Sequence, residues 1–491
     1  MHSYPLVPKF AQAKIYPERS HYLVEEPKLT DWDKKTIDQI KEAVVELTEI
    51  NLLAIKDANS ARQQLNSEIM RIVGELGLAI PKERMDMYLY YLFRDFTGLG
   101  IIEPLMQDPF IEDISCDGLK IPIFINHRDF GTLKTNLHFD DEDALNSFVV
   151  MVSQRCNRYI SVAEPLMDGR LPDGSRVQAS YGNEVTTRGS TFTIRKFRKK
   201  PLTPSHLVSS GMLDTEMLAY LWEAIENRSS ILICGGTATG KTTLLNTLSL
   251  FIPKEMKIVS IEDTRELNLP HTNWVPATSR TGFGPPDESG RKYGEVSMFD
   301  LLKESFRERP DYVIVGEVRG EEASVLFQGM ASGHASMGTM HADSLDSAIQ
   351  RLTTSPINLS ADLVSVLDIA IIVEQSRIKN KWARRVKEID EVEAIDQKSG
   401  KPIFQDVYRW SPVSDTFDSG RESRLIRKLA SKKGVTDSEI KKELKRKKEA
   451  LEKMFSRGDL EFVEFAKLLD KYRKGTLDRH LSMEEVHTQA K

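Results

Sequence analysis

The sequence predicts an α/β protein, with a parallel-sheet domain preceded by a smaller α+β domain and a helical region and followed by a helical tail. Three observations predict it. From about residue 205 to 375, apolar runs of strand length alternate with helical segments, the texture of successive βαβ units. Inside that stretch the apolar run Ser229–Cys234 passes through a glycine-rich loop into a helix. Between residues 101 and 197, short strand-like runs flank one helical segment.

A chain of 491 residues is too long for one ordinary domain. Apolar residues at 40% and charged residues at 29% suit a globular protein rather than a disordered one. A formal net charge of -5 does not describe a chain that binds nucleic acid over its whole surface, although local basic clusters remain. Cysteine occurs only at Cys116, Cys156 and Cys234, with no CxxC pair, so neither a disulfide framework nor a tetrathiolate zinc site is expected. The N-terminal residues lack the apolar stretch of a signal peptide, and no run of about 18 apolar residues occurs anywhere. The expectation is a cytosolic protein whose membrane association runs through a partner.

Residues 1–30, rich in Pro and Tyr, show no clear period and read as an irregular arm. Helical spacing begins at Asp31 with Ile37, Ile40, Val44 and Leu47, resumes through Ile69, Ile72 and Leu76, and breaks at Pro81. A further helix, Met85–Phe96, ends at the Gly98–Gly100 turn, closing a helical region over 31–97. Residues 98–197 form the α+β domain, with strands at 121–125 and 191–195, a helix near 142–155 and a tight turn at Pro172–Ser175. The proline-punctuated, charged stretch 198–206 is the linker candidate, and 207–420 the parallel-sheet domain. Residues 421–491 read as a charged helical tail containing the basic run 441–448.

The chemistry is concentrated in four segments. Gly235-Gly236-Thr237-Ala238-Thr239-Gly240-Lys241-Thr242 is G-x-x-x-x-G-K-T, set between an apolar strand and the helix that opens at Thr243. Backbone N–H groups of such a loop point inward at phosphate oxygens, and the positive end of the following helix reinforces them. Lys241 is placed to reach the β and γ phosphates, and the Thr242 hydroxyl to ligate Mg²⁺. Next, Tyr312–Gly316 is an apolar strand that delivers Glu317 to the sheet edge where ligands of open α/β sheets bind. With Gly316 in place of the usual Asp, Glu317 takes the metal or water-positioning role. A third strand, 257–261, ends in Glu262 and Asp263, where a carboxylate could orient or deprotonate attacking water. In the fourth segment, His334 and His341 lie in a Gly-Ser-Thr-rich stretch. They could read a γ-phosphate or ligate zinc, but no further His or Cys lies close enough to complete a tetrahedral site, and a hydrogen-bonded core histidine is the commoner case. Arginines cluster around these segments at Arg265, Arg307, Arg309 and Arg319, with Arg176 and Arg195 upstream. Spacing does not choose among them.

Taken in order, GGTATGKTT, IVSIEDTREL, RPDYVIVGEVRG and GHASMGTMHADS resemble the Walker A, Asp, Walker B and His boxes of the type II/type IV secretion ATPase superfamily. The resemblance extends to Gly98–Leu105, Asp173–Arg176 and Phe192–Phe197, and Tyr408–Phe417 resembles the archaeal branch that drives archaellum or pilus assembly. It implies a RecA-like P-loop domain at 207–420 behind a PAS-like α+β domain at 98–197, in a homo-hexamer binding ATP and Mg²⁺ at subunit interfaces. Residue by residue, it implies Lys241, Thr242 and neighbouring loop residues through Thr243 on the nucleotide, and Glu262 and Glu317 as the Asp-box and Walker B carboxylates. His334 and His341 carry over as the His-box pair, Arg307 and Arg319 as arginines acting across an interface, and Arg176 and Arg195 as N-terminal arginines closing over nucleotide. Ala238 stands where a glycine is frequent.

The function this implies is an ATP-hydrolysing motor that works through a polytopic membrane platform protein on pilin-like subunits, peripheral on the inner face of the cell membrane. The alternatives are a nucleic-acid-translocating ATPase of conjugation or DNA-uptake type, prompted by the basic stretches 195–200 and 441–448, and a scaffold that binds nucleotide without hydrolysis. The acids Glu443 and Glu449 within and beside the 441–448 run make it read as a solvated helix face.

Overall fold

Small apolar residues alternating with polar ones are enough to make strands of the first 25 residues. Ala11, Ala13 and Ile15 are buried on one face and their neighbours are not, so the chain forms β1 (His2–Val7), β2 (Ala11–Tyr16) and β3 (His21–Glu25), paired antiparallel in sequence. The expectation of an irregular arm over 1–30 is corrected here: Pro and Tyr masked a period of two carried largely by alanine. The computed structural model describes residues 1–47, 58–197, 200–282, 284, 287–288, 290–378, 381–395, 402–458 and 460–477. The chain divides into two compact units, residues 1–198 and 199–491.

In the first unit, α1 (Asp31–Leu47), α2 (Ala58–Glu75) and α3 (Lys82–Phe96) follow the apolar spacing, and α3 begins directly after Pro81. Residues 48–57 of the expected helical region lie outside the described residues. After α4 (Glu103–Gln107) come β4 (Ile111–Cys116), β5 (Phe124–His127), β6 (Gly131–Thr135), α5 (Glu142–Arg155), β7 (Leu166–Arg170), β8 (Arg176–Ser180) and β9 (Thr191–Arg195). They form a nine-stranded sheet in the order β1-β2-β3-β6-β5-β4-β9-β8-β7, with β3 entering parallel to β6. The buried Asp108 carboxylate accepts hydrogen bonds from the Tyr4 and Tyr22 hydroxyls, each at 2.6 Å, and so ties the N-terminal strands down. One apolar cluster runs from Leu6 to Ile194. The expected divisions at 30/31 and 97/98 therefore mark changes of element type within a single core.

The second unit begins with α6 (Pro204–Ser209), whose first residue is Pro204. The end of the expected linker is thus helical, because proline's fixed φ suits the first helical position; residues 198–199 lie outside the described residues. Then follow α7 (Thr215–Glu226), β10 (Ile231–Gly235), α8 (Lys241–Leu248), β11 (Ile258–Glu262), β12 (Trp274–Thr278), α9 (Met298–Ser305), β13 (Tyr312–Val318), α10 (Glu322–Ala331) and β14 (Ala335–His341). The unit continues with α11 (Leu345–Thr353), α12 (Ala361–Val364), β15 (Ile369–Ile378), β16 (Lys381–Ile395), β17 (Pro402–Ser411) and β18 (Thr416–Ser419). The sheet order is β12-β11-β13-β14-β10-β15-β16-β17-β18. From β12 through β15 neighbouring strands are parallel, and β16 to β18 return as an antiparallel meander. Every residue of β10 and β11 is buried, as expected of parallel strands covered on both faces.

The tail helices α13 (Arg424–Lys433), α14 (Asp437–Phe455) and α15 (Phe462–Arg473) send Leu425, Leu451, Phe465 and Leu469 into the same core as β10 and α7. The described part of the expected separate tail is therefore a layer of the sheet unit; residues 478–491 lie outside the described residues. The basic run 441–448 is not wholly a solvated face either. Lys447 is 2% exposed, with Nζ 2.5 Å from Glu223 and 2.6 Å from Glu226 on α7, and it lies over the Trp222 ring. Lys441 pairs with Glu422 and Lys448 with Glu216. Among the described residues no helix is long and apolar enough to cross a membrane.

Removing one member of a buried ion pair strands the other, at a cost of about 3–5 kcal/mol. Lys447→Ala is expected to lower the unfolding free energy by about that amount, measured by urea titration. Burial alone would raise the pKa values of Glu223 and Glu226, but Lys447, with Lys433 and Arg473 respectively, outweighs it and holds both below the ordinary 4.5. Their contribution is therefore complete above about pH 4.5 and lost as the pH falls further. The unsubstituted chain should lose more stability on acidification through that range than Lys447→Ala does.

Candidate functional site

Because β10 is buried throughout, its glycine-rich continuation emerges only at the C-terminal edge of the parallel strands. A side chain at Gly235 would place Cβ 2.5 Å from Val373 O on β15 and 2.7 Å from Thr239 Oγ1, so only glycine fits. Gly236 O accepts from Thr239 Oγ1 at 3.0 Å, which closes the loop and leaves Thr237 and Ala238 exposed at its tip. Gly240 adopts φ +94° and caps α8. Lys241, 8% exposed, folds back to donate to Gly235 O at 2.9 Å and Gly236 O at 2.6 Å. Burial lowers its pKa from the ordinary 10.5, and the nearby Glu317 carboxylate opposes that fall. Thr242 and Thr243 are half-buried on the first turn of α8.

Two strands over, β13 carries one extra residue against β14. Val315 pairs with Gly338 but Val318 pairs with Met340, a bulge spanning Gly316 and Glu317. Bulges re-aim side chains, and Thr339 Oγ1 on β14 pins this one by donating to Gly316 O at 2.5 Å. A Cβ at Gly316 would sit 2.8 Å from Glu262 Cγ. The absence of a side chain there lets Glu262, 1% exposed at the end of β11, lie beside the residue preceding Glu317. Glu262 Oε1 accepts from the Glu266 and Leu267 N–H groups at 2.8 and 3.0 Å, which shapes the turn after β11.

Glu317 Oε2 accepts from Arg319 Nη2. Its Oε1 is buried and lies 3.3 Å from His341 Nε2, within ion-pair range but without a hydrogen bond. Burial, reinforced by the Lys241 ammonium, holds the His341 pKa below the ordinary 6.5. At neutral pH His341 is therefore a neutral imidazole between a cation and a carboxylate. A buried carboxylate oxygen with no hydrogen bond, on the strand edge facing the glycine loop, suits a hard divalent cation such as Mg²⁺. Glycine loop, helix start, buried ammonium, carboxylates and imidazole thus converge on one edge of the sheet.

The profile of the type II/IV secretion system protein family matches residues 96–462 of this chain. The chain belongs to that family. It is 38% identical over 384 residues to the uncharacterized protein MJ0900 of Methanocaldococcus jannaschii, covering 77% of this chain and 68% of that protein. It is 32% identical over 280 residues to the type IV secretion system protein PtlH of Bordetella pertussis, covering 50% of this chain and 80% of that one. Among solved structures, the pilus retraction motor PilT with bound ADP is similar at 17% identity and TM-score 0.40, covering 73% of this chain and 93% of that one.

Not every expected site residue of this type II/IV secretion system protein lies at that edge. β14 separates His334 from His341 by about 20 Å at roughly 3.3 Å per residue, so within one chain they cannot share a phosphate or a zinc ion. The reading of both histidines on one γ-phosphate is corrected accordingly. His334 instead packs edge-on against Phe306 at 5.0 Å, which places it near the neighbouring Arg307. Arg307 is exposed and pairs with Glu304 one helical turn away. Arg176 and Arg195 belong to the first unit, where they face each other across β8 and β9, and Arg176 bonds Asp168 at 2.5 Å. Arg265 lies over the Trp274 ring. Sequence reasoning missed Thr339, whose signal was its position on a strand flanking Glu317, and Gly316, whose role depends on a side chain from another strand.

Ala238 has φ +60°, a left-handed conformation that costs a non-glycine residue about 1–2 kcal/mol. Ala238→Gly relieves that strain and makes the unfolded chain more flexible, with an expected net gain of about 0.5–1 kcal/mol in unfolding free energy. Thermal unfolding of the two proteins checks it; a lower midpoint for the glycine form would contradict the strain.

Proposed function

We propose that this chain is an ATPase, a mechanochemical motor that hydrolyses ATP to ADP and phosphate. The observation that carries the reading is the convergence of Lys241, Glu317 and His341 at the mouth of the glycine loop, close enough to perturb one another electrostatically. Family membership supports it, as does the charge pattern: one buried cation to meet a phosphate and two carboxylates to handle metal and water.

In this reading the loop N–H groups from Gly235 to Thr243 and the start of α8 hold the phosphates, with Lys241 on the β and γ groups. Thr242 and Glu317 would hold Mg²⁺, which would supply positive charge to offset that developing on the phosphates. Glu262 and Glu317 orient the attacking water, and His341, neutral, donates a hydrogen bond toward the γ-phosphate. Arg307 and Arg319 serve the transition state from a neighbouring copy of a homo-hexamer, with His334 alongside Arg307, and Arg176 and Arg195 serve as further nucleotide contacts. The fold assignment that goes with this is a RecA-like domain behind a PAS-like domain. A polytopic membrane platform protein receives the motion and moves pilin-like subunits, with the motor peripheral on the cytoplasmic face. The nucleic-acid alternative loses its strongest support where Lys441, Lys447 and Lys448 are already paired with glutamates.

Lys241→Ala is expected to abolish Mg–ATP binding in calorimetry. Glu317→Gln should keep binding within a few-fold and lose phosphate release by a factor of about 10²–10⁴. Wild-type turnover in Lys241→Ala would refute the site.

A further inference from the structure

Glu317 and His341 fix the direction in which a nucleotide must lie across the glycine loop. β10 has two neighbours in the sheet, β14 on one side and β15 on the other. The carboxylate and imidazole that face Lys241 are on β13 and β14, so the terminal phosphate points to that side. The phosphate chain follows the loop amides until the loop turns into α8 at Gly240. What continues past Gly240, toward β15 and β16, is the nucleoside.

One side chain stands at that exit. Arg384 on β16 brings its Cδ to 3.4 Å from where a Cβ on Gly240 would be, with Met212 Cε at 3.6 Å as the other wall. The strand that carries it is rigidly placed. Val386 N donates to Met212 O at 2.7 Å, and the adjacent Arg385 is buried, bonded to Asp415 through Nε at 2.8 Å and Nη2 at 3.0 Å and to Ser210 O at 2.9 Å. The two neighbouring arginines therefore differ in kind. Arg385 is a structural tie, whereas the half-buried Arg384 guanidinium has no hydrogen-bond or ion-pair partner among the described residues. A planar guanidinium both stacks on an aromatic base and offers several N–H donors to ribose oxygens, which an ammonium does not match.

We propose that Arg384 is a nucleotide-binding residue that holds the nucleoside end of the bound nucleotide beside Gly240. The inference rests on the nucleotide reading of the glycine loop and deepens it. It assigns the β15–β16 ribbon a part in the site that its distance in sequence from the loop conceals.

Calorimetric titration of the full chain with Mg–ADP, with a Mg-bound non-hydrolysable ATP analogue and with inorganic tripolyphosphate tests it. Arg384→Gln keeps the Cβ and Cγ of the stem and replaces the Cδ beside Gly240 by an uncharged amide carbon, and an unchanged thermal midpoint verifies the fold. In that variant the dissociation constants of both nucleotides should rise by the same factor, about tenfold, while that of tripolyphosphate stays within twofold. Arg384→Lys should recover only part of the loss. Weakening of the ATP analogue alone would place Arg384 at the γ-phosphate, and equal weakening of tripolyphosphate would place it on phosphate; either overturns the proposal. Unchanged nucleotide binding in Arg384→Gln, with binding lost in Lys241→Ala, overturns this inference and leaves the nucleotide reading standing. No binding by the unsubstituted chain overturns both.

Discussion

The approach of Glu262 Cγ to the bare α-carbon of Gly316 is the contact on which the rest of the site depends. Two carboxylates from separate strands must lie near one point at the sheet edge. Ordinary parallel pairing of β11 and β13 would fill the space between them with a side chain from position 316. Removing that side chain solves the packing problem, and the bulge at 316–317 solves the aiming problem, since Thr339 holds the displaced carbonyl. Gly235 obeys the same rule on β10, where the backbone of β15 leaves no room for a Cβ. Two glycines thus do unlike work in like fashion: each marks where another chain segment passes at contact distance.

The buried ion network around Lys447 ties the tail to the helix that precedes β10. Glu223 and Glu226 sit on α7, which leads directly into β10, and Arg473 on α15 completes the set by bonding Glu226 at 2.6 Å. Each carboxylate is costly to bury alone and acceptable only with its cations in place. The sequence therefore cannot hold α7 in this environment without α14 and α15. Helices that composition alone presents as an appendage are part of what positions the strand before the glycine loop.

Much of the fold was legible because its signals are local. The strand before Gly235, the helix from Lys241 and the strand that ends in Glu317 each follow from an apolar run and a flanking glycine or acid. So does the helix at Glu142–Arg155, which Asp141 caps by accepting from Ala144 N at 2.9 Å. What was not legible depended on partners distant in sequence. β2 is built on alanines whose burial is due to neighbouring strands, so composition alone suggested an arm. Lys447 looks like any lysine of a charged helix until Glu223 and Glu226 arrive from more than 200 residues away. His334 and His341 looked paired because they are close in sequence, yet a strand is the element that most separates residues at a given spacing.

The arrangement of charges also constrains how the site changes on binding. Lys241 donates to its own loop carbonyls, and Glu317 accepts from Arg319 on the same chain. In the proposed role a triphosphate would offer Lys241 charged acceptors in place of neutral ones, and charge-assisted hydrogen bonds are the stronger kind. The loop carbonyls would then be released from Lys241. Arg319, largely exposed, faces the same choice. In its proposed role it cannot remain on Glu317 and also reach a nucleotide held by an adjacent copy. Under the proposed Mg²⁺ site, a cation at Glu317 would compete with Arg319 for that carboxylate, so metal binding and the Glu317–Arg319 ion pair are coupled.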